Sequence, residues 1–252
     1  MAPDEQLVSI VTPAFNAERF IRECIDSVLA QTHRALEMLV VDDCSRDKTA
    51  EIVRSYSSRD PRIRLISRES NGGPAAARNT ALKAASGRFI AFLDSDDLWT
   101  ERKLEEQLQF MKETDSTFSF TGYRRISEQG AFVSERVRVP TSLNYSGLLK
   151  NTAIATTTVL IDRSKTGPLE MKQTYYDDFA LWLSVLKRGF TAHGLQKDLA
   201  RYRVVEGSWS RRKWRSAIQV WKAYRQVEGL SWPYSVWCFL HYAFNATRKH
   251  SR

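Results

Sequence analysis

Residues 94–97 carry three aspartates directly after an apolar run at 89–93. Carboxylates buried at the end of a strand are unfavourable unless they are paired or bound to a cation. A hard divalent cation, Mn²⁺ or Mg²⁺, would remove that cost by bridging these acids and the diphosphate of a ligand. The alternative is that Asp96 or Asp97 caps a helix that begins near Leu98. The segment therefore predicts either a metal site or a helix N-terminus.

A second acidic pair, Asp42 and Asp43, also ends an apolar run, and Phe15 follows the first such run of the chain. A carboxylate in this position can accept hydrogen bonds from a nucleobase or a ribose, and an aromatic ring can stack on a base. The alternatives are an Asx turn for the two acids and a place in the core for Phe15. Both segments are therefore candidates for a nucleotide site.

A glycine-rich turn at 71–74 leads into a helical pattern that contains Arg78. The N-terminus of a helix can receive an anion, and an arginine adds a permanent positive charge. Most turns of this kind only reverse the chain. The turn therefore indicates a ligand site only in combination with the acidic segments around it.

Four strand-like runs alternate with helical patterns in the first hundred residues. This alternation predicts a largely parallel sheet covered by helices, with ligands bound at the carboxyl ends of the strands. The polar segments that follow the first, second and fourth strands should therefore line one crevice. The expected strands are 7–12, 36–43, 64–66 and 89–93, the expected helices are 16–31 (capped by Asn16), 49–56, 75–85, 100–112 and 177–187, and the clearest later strand is 156–161.

The chain resembles the family-2 glycosyltransferases of the GT-A fold that build bacterial surface polysaccharides. The segments that carry the resemblance are 8–16, 40–49, 71–79 and 92–97, and it is strong over 7–100 and fair to about 205. It implies an α/β GT-A fold: a Rossmann-like nucleotide-binding core, with a mainly parallel sheet and helices on both faces, followed by C-terminal amphipathic helices. Residues 1–205 would form the catalytic domain, with the nucleotide-sugar on 1–100 and the acceptor on 101–205, and 206–252 would be a basic, tryptophan-rich helical tail.

The resemblance also implies roles for individual residues. The nucleoside base would lie against Pro13 to Phe15 and Asp43, Arg78 near the ribose or diphosphate, and Asp94 at the ribose or sugar. Asp96 would bind the metal, which leaves Asp97 as a helix cap. The complete donor site implied is Pro13, Ala14, Phe15, Asn16, Asp42, Asp43, Gly73, Arg78, Asp94, Ser95 and Asp96.

The family's catalytic base lies in a Glu-Asp pair ahead of a helix. Asp178 matches the base, whereas Asp177 replaces the usual glutamate, so either aspartate is a candidate. A positioned carboxylate can take the proton of a sugar hydroxyl as it attacks, the metal stabilises the departing diphosphate, and a single displacement inverts the anomeric carbon. The alternative is that the two acids only favour the start of a helix. The family's histidine in the loop over the diphosphate is replaced by Val205, and Arg203, Ser208 or Ser210 could compensate for it.

The net charge of +9 is concentrated in residues 201–252, where eleven Lys and Arg residues face two acids. Five of the seven tryptophans also lie beyond residue 205. A helical pattern at 212–228 and an aromatic run at 234–244 are too short to span a bilayer but suit a membrane interface. The alternatives are that these helices pack on the catalytic domain or on a second subunit, which would make a homo-oligomer.

The resemblance implies a UDP-sugar donor, with GDP- and dTDP-sugars as alternatives. It also implies a glycan or polyprenyl-diphosphate-linked acceptor, and Mn²⁺ or Mg²⁺ as cofactor. The N-terminus lacks the features of a secretory signal, and three widely spaced cysteines are typical of reduced thiols, so we expect a cytoplasmic protein, peripheral on the inner face of the plasma membrane. A nucleotidyltransferase is the alternative enzyme, but 12–16 offers no Gly/Arg/Lys-rich phosphate loop. A nucleic-acid-binding module using the basic tail is the alternative from another class, but no helix-turn-helix, zinc or RRM motif supports it, and we expect no nucleic-acid partner.

Overall fold

The computed structural model describes residues 6–174, 176–205 and 213–248. Its first half alternates strands and helices as the sequence predicts, and strands β1 to β4 pair in parallel in the order β3-β2-β1-β4. The strands are β1 (Val8–Ala14), β2 (Leu36–Asp42), β3 (Ile63–Ser67) and β4 (Phe89–Phe92), and the helices are α1 (Ile21–Leu29), α2 (Thr49–Ser57) and α3 (Gly73–Ala84).

The second half extends the same sheet with mixed pairing, in the order β4-β8-β6-β9-β5, and β7 pairs with β9. Strand β6 pairs in parallel with β9, whereas the pairings of β8 with β4 and β6, and of β9 with β5 and β7, are antiparallel. The sheet is therefore parallel throughout its first half, in line with the mainly parallel sheet predicted, whereas its second half combines one parallel pairing with four antiparallel ones. The elements are β5 (Leu98–Trp99), α4 (Lys103–Glu113), β6 (Phe118–Ile126), β7 (Ser142–Leu143), α5 (Tyr145–Leu149), a 3₁₀ turn (Thr156–Thr158), β8 (Leu160–Asp162), α6 (Arg163–Thr166), α7 (Asp177–Lys187) and β9 (Ala192–Arg203).

Three local predictions differ from the structure. The first helix begins at Ile21 rather than at Asn16, because Asn16 has a positive φ of 49° and its side chain accepts the N–H of Arg46 at 2.8 Å instead of capping α1. The helix expected at 100–112 begins at Lys103, because Leu98–Trp99 pairs with β9 first. The strand expected at 156–161 begins as the 3₁₀ turn and becomes β8 only at Leu160.

Helices cover both faces of the sheet, and alternate residues of each strand point to opposite faces. Val11, Leu39 and Phe92 belong to the core under α3, α5 and α7. Ile10 and Met38 belong to the core under α1, α2 and α4. This double coverage explains why all seven residues of β2 are buried.

The tail contains α8 (Lys213–Lys222), a π-helical segment (Ala223–Val227) and α9 (Trp232–Arg248). Its inner side continues the α3/α5/α7 core through the buried side chains of Tyr224 and Cys238. The Tyr224 hydroxyl donates to the carbonyl of Leu149, and the Tyr145 hydroxyl donates to Glu228 at 2.6 Å. The tail therefore packs through this side on α5 and on the core under α3, α5 and α7. Of the helices described, none combines the length and apolar character needed to cross a bilayer.

Candidate active site

The carboxyl ends of β1, β2 and β4 lie side by side at one edge of the sheet. Ala14 pairs with Asp42 in the β1–β2 register, and Val11 pairs with Phe92 in the β1–β4 register. Phe15, Asp43 and the acidic segment 94–97 follow these strand ends, so the three predicted clusters lie at one edge of the sheet. The ring of Phe15 is 51% exposed there, which leaves it free of the core and open to a planar ligand.

Asp43 is held by the glycine-rich turn. Its carboxylate accepts the N–H groups of Gly72 at 3.1 Å and Gly73 at 2.7 Å, and it pairs with the guanidinium of Arg68. The helix α3 N-terminus therefore takes Asp43 as its anion, and Gly73 supplies the positive φ of 80° that this turn needs. Asp42 lies beside it and accepts the N–H of Ser45 at 3.3 Å.

The carboxylates of the acidic segment differ in their surroundings. Asp94 pairs with Arg78 at 2.5 Å and its side chain is 29% exposed. Burial, followed by the charge of Asp94, raises the pKa of Asp96 to about 6. Burial and then the charge of Asp96 raise the pKa of Asp97 well above its usual range. The negative charge of the ionised Asp96 and Asp97 carboxylates is therefore unfavourable here, and a bound cation would stabilise it.

The prediction that Asp97 caps a helix is wrong. Asp97 is 1% exposed, and its Oδ1 accepts the backbone N–H of Arg203 in β9 at 2.8 Å. Helix α4 begins six residues later, at Lys103, and its N-cap position is Arg102, which makes no side-chain capping bond. Asp97 therefore ties the acidic segment to β9, while Ser95 and Asp96 lie half-buried beside it.

Arg78 connects the acidic segment 94–97 to the start of α7. Its guanidinium contacts Asp94 at 2.5 Å and Asp177, the first residue of α7, at 2.9 Å. Burial alone would lower the pKa of Arg78, but the charges of Asp94 and Asp177 outweigh it and raise the pKa. Burial raises the pKa of Asp177 even though Arg78 opposes the shift. The segment 94–97 and the N-terminus of α7 are thus held within the reach of one guanidinium.

The two aspartates at the start of α7 have different partners. Asp177 is 6% exposed and its carboxylate faces Arg78. The Asp178 carboxylate is held by neutral donors: the N–H of Phe179 at 2.6 Å and the hydroxyl of Thr156 at 2.5 Å. Asp178 is also the more accessible of the two, whereas Asp177 is buried in its ion pair with Arg78.

Arg203 has a larger role than the sequence indicated. Its side chain is fully buried and donates to the carbonyl of Asp96 at 2.8 Å, to the carbonyl of Glu128 at 2.8 Å and to the carboxylate of Glu23 at 2.7 Å. It therefore supports the acidic segment from behind rather than replacing a diphosphate ligand. Ser208 and Ser210, the other residues proposed to compensate for the missing histidine, lie outside the described residues.

Three contacts of the site carry no sequence signal that we recognised. Arg68 pairs with Asp43, Thr156 donates to Asp178, and the buried thiol of Cys24 donates to the carbonyl of Asp94 at 3.5 Å. Each joins residues that are 22 or more positions apart. An arginine or a threonine in a segment without a motif is too common to be singled out from one sequence.

The carboxylates of the acidic segment are suitable for a divalent cation that is also bound by the phosphates of a ligand. Within the described part of the chain, no group of three or more His, Cys, Asp or Glu residues could hold a metal ion by itself. Mg²⁺-type ions are usually bound through one or two carboxylates together with the phosphates of the substrate. Asp96, with its raised pKa and its neighbour Asp94, offers such carboxylates, so the residues present are suitable for Mn²⁺ or Mg²⁺.

Comparisons with known proteins show what this chain is similar to. The profile of the family "Glycosyl transferase family 2" matches residues 9–165. The chain is 47% identical over 244 residues to TuaG of Bacillus subtilis (strain 168), whose name assigns it to teichuronic acid biosynthesis as a glycosyltransferase, and the match covers 96% of this chain and 97% of TuaG. It is 41% identical over 222 residues to WfgD of Escherichia coli, named a UDP-Glc:alpha-D-GlcNAc-diphosphoundecaprenol beta-1,3-glucosyltransferase, with 86% and 85% of the two chains covered.

Solved structures share the fold. Residues 1–349 of S. aureus TarS in complex with UDP superpose with a TM-score of 0.69 at 21% identity, covering 94% of this chain and 70% of the other. The mannosyltransferase PcManGT from Pyrobaculum calidifontis, in complex with GDP-Man and Mn²⁺, superposes with a TM-score of 0.68 at 20% identity, covering 100% of this chain and 78% of the other. The fold is therefore GT-A, with helices on both faces of a mixed sheet and further helices at the C-terminus.

Proposed function

We propose a function for this chain, which belongs to glycosyl transferase family 2. It transfers a sugar from a UDP-sugar to a hydroxyl of a lipid-linked glycan, a precursor of bacterial surface polysaccharide. The observation that carries this proposal is the ion pairing of Arg78 with both Asp94 and Asp177. It brings the donor-side acids and the neighbourhood of Asp178 to one crevice, as a direct displacement requires. The family match favours this function over a nucleotidyltransferase or a nucleic-acid-binding module.

The donor would lie along the carboxyl ends of β1, β2 and β4. Phe15 is exposed and can stack on the base, and Asp43 lies at the next strand end to select it. Arg78 and Asp94 would contact the ribose, the diphosphate or the sugar. The remaining donor contacts we propose are Pro13, Ala14, Asn16, Asp42, Gly73 and Ser95, which line the same edge of the sheet or the turn before α3.

Asp96 is the residue we propose to hold Mn²⁺ or Mg²⁺ together with the donor diphosphate. The bound cation would offset the negative charge of the departing diphosphate. PcManGT, which shares this fold, was solved with GDP-Man and Mn²⁺. The raised pKa of Asp96 supports the assignment, because a carboxylate that is costly to ionise alone gains most from a cation.

Asp178 is the residue we propose as the catalytic base. Both of its oxygens accept a hydrogen bond from this chain, and each carboxylate oxygen has a second lone pair that can accept from a sugar hydroxyl. Removing the proton of that hydroxyl as it attacks the anomeric carbon gives a single displacement with inversion. Asp177 supports the site by keeping Arg78 charged and in place.

The tail would bring the enzyme to its acceptor at the membrane, so that residues 1–205 catalyse the transfer and 206–252 bind the surface. Helix α9 exposes Val236, Trp237, Leu240 and Phe244, each 44% or more, and their spacing places them along one side of the helix. Nine basic residues at 206–252 would favour anionic lipids of the inner leaflet of the plasma membrane. The acceptor named for WfgD, a diphosphoundecaprenol-linked sugar, supports a membrane acceptor.

A donor screen tests the catalytic proposal. The full chain is incubated with UDP-, GDP- and dTDP-sugars, Mn²⁺ or Mg²⁺, and a lipid-diphosphate-linked GlcNAc acceptor. We expect UDP-sugar turnover that Asp96→Ala abolishes together with metal-dependent UDP binding, whereas Asp178→Asn keeps UDP binding and loses about 10²- to 10⁴-fold in transfer. Asp115→Asn, at a 92% exposed aspartate paired with Lys165, is the control and should behave as wild type. Absence of binding and turnover with every donor would overturn the proposal.

Vesicle binding tests the tail. We expect the full chain to sediment with vesicles containing anionic phosphatidylglycerol and to bind neutral vesicles less. Trp237→Ser combined with Leu240→Ser should reduce binding, whereas Phe132→Ser, which removes a ring that is 57% exposed on another surface, should not. Equal binding of both variants would contradict the assignment of α9.

A further inference from the structure

The 3₁₀ turn at Thr156–Thr158 lies between the acidic segment and α7. The three threonines are at most 8% exposed, so this polar sequence is buried. Buried hydroxyls are retained where they make hydrogen bonds, and those of Thr156 and Thr158 do. The turn is therefore a built polar element rather than a solvent-exposed loop.

The turn is fixed by the elements that follow the acidic segment. The indole N–H of Trp99, two residues after Asp97, donates to the carbonyl of Thr157 at 2.8 Å. The side chain of Gln107 in α4 donates to the carbonyl of Thr158 at 3.0 Å. Because β5 and α4 follow directly on the acidic segment, the position of the turn is set relative to the donor side of the crevice.

From this fixed turn, Thr156 reaches the aspartate that we assign as the base. Its hydroxyl donates to Oδ2 of Asp178 at 2.5 Å, while Oδ1 of Asp178 accepts the N–H of Phe179 at 2.6 Å. Two donors on opposite oxygens fix both torsion angles of a short side chain. We infer that Thr156 is a positioning residue, which holds the Asp178 carboxylate toward the acceptor hydroxyl at a set distance from the donor; this rests on the function proposed above.

The physical reason is the cost of misplacement. A carboxylate free to rotate about χ1 and χ2 spends much of its time out of line with the acceptor hydroxyl, and a misplacement of about 1 Å can cost about 10²-fold in rate. The Thr156 hydroxyl donates to Asp178 and not to a residue that we assign to the donor, so donor affinity should not depend on Thr156. A loss confined to kcat therefore distinguishes positioning from a general loss of structure.

The test compares Thr156→Val, which is nearly isosteric but lacks the hydroxyl, with Thr156→Ser, which keeps it. We expect Thr156→Val to lower kcat about 10- to 100-fold with donor KM within about twofold of wild type, and Thr156→Ser to restore most of the rate. Thr158→Val is the matched control, because its hydroxyl donates to the carbonyl of Ala155 in the same turn and not to Asp178. A melting temperature for each variant identifies any that fail to fold, and Thr156→Ser then carries the comparison.

A double-mutant cycle shows whether Thr156 acts through Asp178. In the Asp178→Asn background, Thr156→Val should change the residual transfer rate, measured with radiolabelled donor, by less than about twofold. A full additional loss in that background, an equal loss in Thr158→Val, or wild-type kcat in Thr156→Val would overturn the inference while leaving the proposed function intact. Near-normal transfer by Asp178→Asn alone would instead refute the base assignment, and the positioning role with it.

Discussion

Replacing Arg203 by methionine should loosen the acidic segment while leaving its three aspartates unchanged. The guanidinium is fully buried and satisfies the carbonyls of Asp96 and Glu128, each at 2.8 Å. Methionine fills a similar volume but leaves both carbonyls without their donor, at about 1–3 kcal/mol each. The lost pair with Glu23 counts little, because that carboxylate is 54% exposed and remains hydrated. We therefore expect a loss of about 2–6 kcal/mol in the free energy of unfolding.

For a chain of 252 residues this corresponds to a fall in melting temperature of about 4 to 24 °C. The donor KM should also rise, because Asp96 belongs to the loosened segment, while UDP with Mn²⁺ should recover part of the lost stability by binding the folded state. Thermal unfolding with and without UDP and Mn²⁺, together with donor kinetics, measures both effects.

Arg19→Met is the matched control. Its guanidinium lies over the same Phe20 ring as that of Arg203, at 4.9 Å against 4.7 Å, and it also contacts Glu128, but its side chain is 63% exposed. We expect Arg19→Met to cost less than about 1 kcal/mol and to leave the donor KM unchanged. Equal effects in the two variants, or a melting temperature of Arg203→Met within about 1 °C of wild type, would refute the reasoning.

Two further predictions concern buried ionisable groups. Lys103 is fully buried 3.8 Å from the centre of the Trp99 ring, its Nζ has no hydrogen-bond partner among the described residues, and burial lowers its pKa well below the usual value. Lys103→Met should therefore raise the free energy of unfolding at pH 7 by about 1–3 kcal/mol, measured in urea. This gain should shrink as the pH approaches about 10.4, where the lysine of the unfolded chain also loses its proton. A destabilised variant would contradict this reasoning. Burial would raise the pKa of Glu37, but hydrogen bonds from Ser86 and Ser9 outweigh it and lower the pKa to about 2. The stability that the ionised Glu37 provides should be complete above about pH 4.3 and lost as the pH falls toward 2. Glu37→Gln should therefore destabilise the protein at pH 7 and much less at pH 2.5. A difference in urea unfolding that does not change with pH would contradict this.

Local patterns were sufficient for the first half of the fold. The runs around Val11, Leu39 and Phe92 have the length and apolar character of buried parallel strands, and the helices between them have clear periodicity. The same patterns placed Phe15 and Asp43 at neighbouring strand ends, because parallel strands end at one edge of the sheet. The second half could not be predicted in this way, since β9 pairs with three strands that are distant in sequence and its register depends on those partners.

The roles within each acidic pair were beyond sequence reasoning for a physical reason. Asp96 and Asp97 are adjacent and chemically identical, and what separates them is the N–H of Arg203, 106 residues away, which binds Asp97. In the same way Arg78, 99 residues from Asp177, binds that aspartate, while Thr156 binds Asp178. A carboxylate that neutralises a buried arginine leaves that charge unpaired when it accepts a proton. A carboxylate held by a hydroxyl and a backbone N–H can accept a proton without this cost. The different surroundings of neighbouring acids are therefore set by their tertiary partners, and Thr156→Val would remove the one whose hydroxyl binds Asp178.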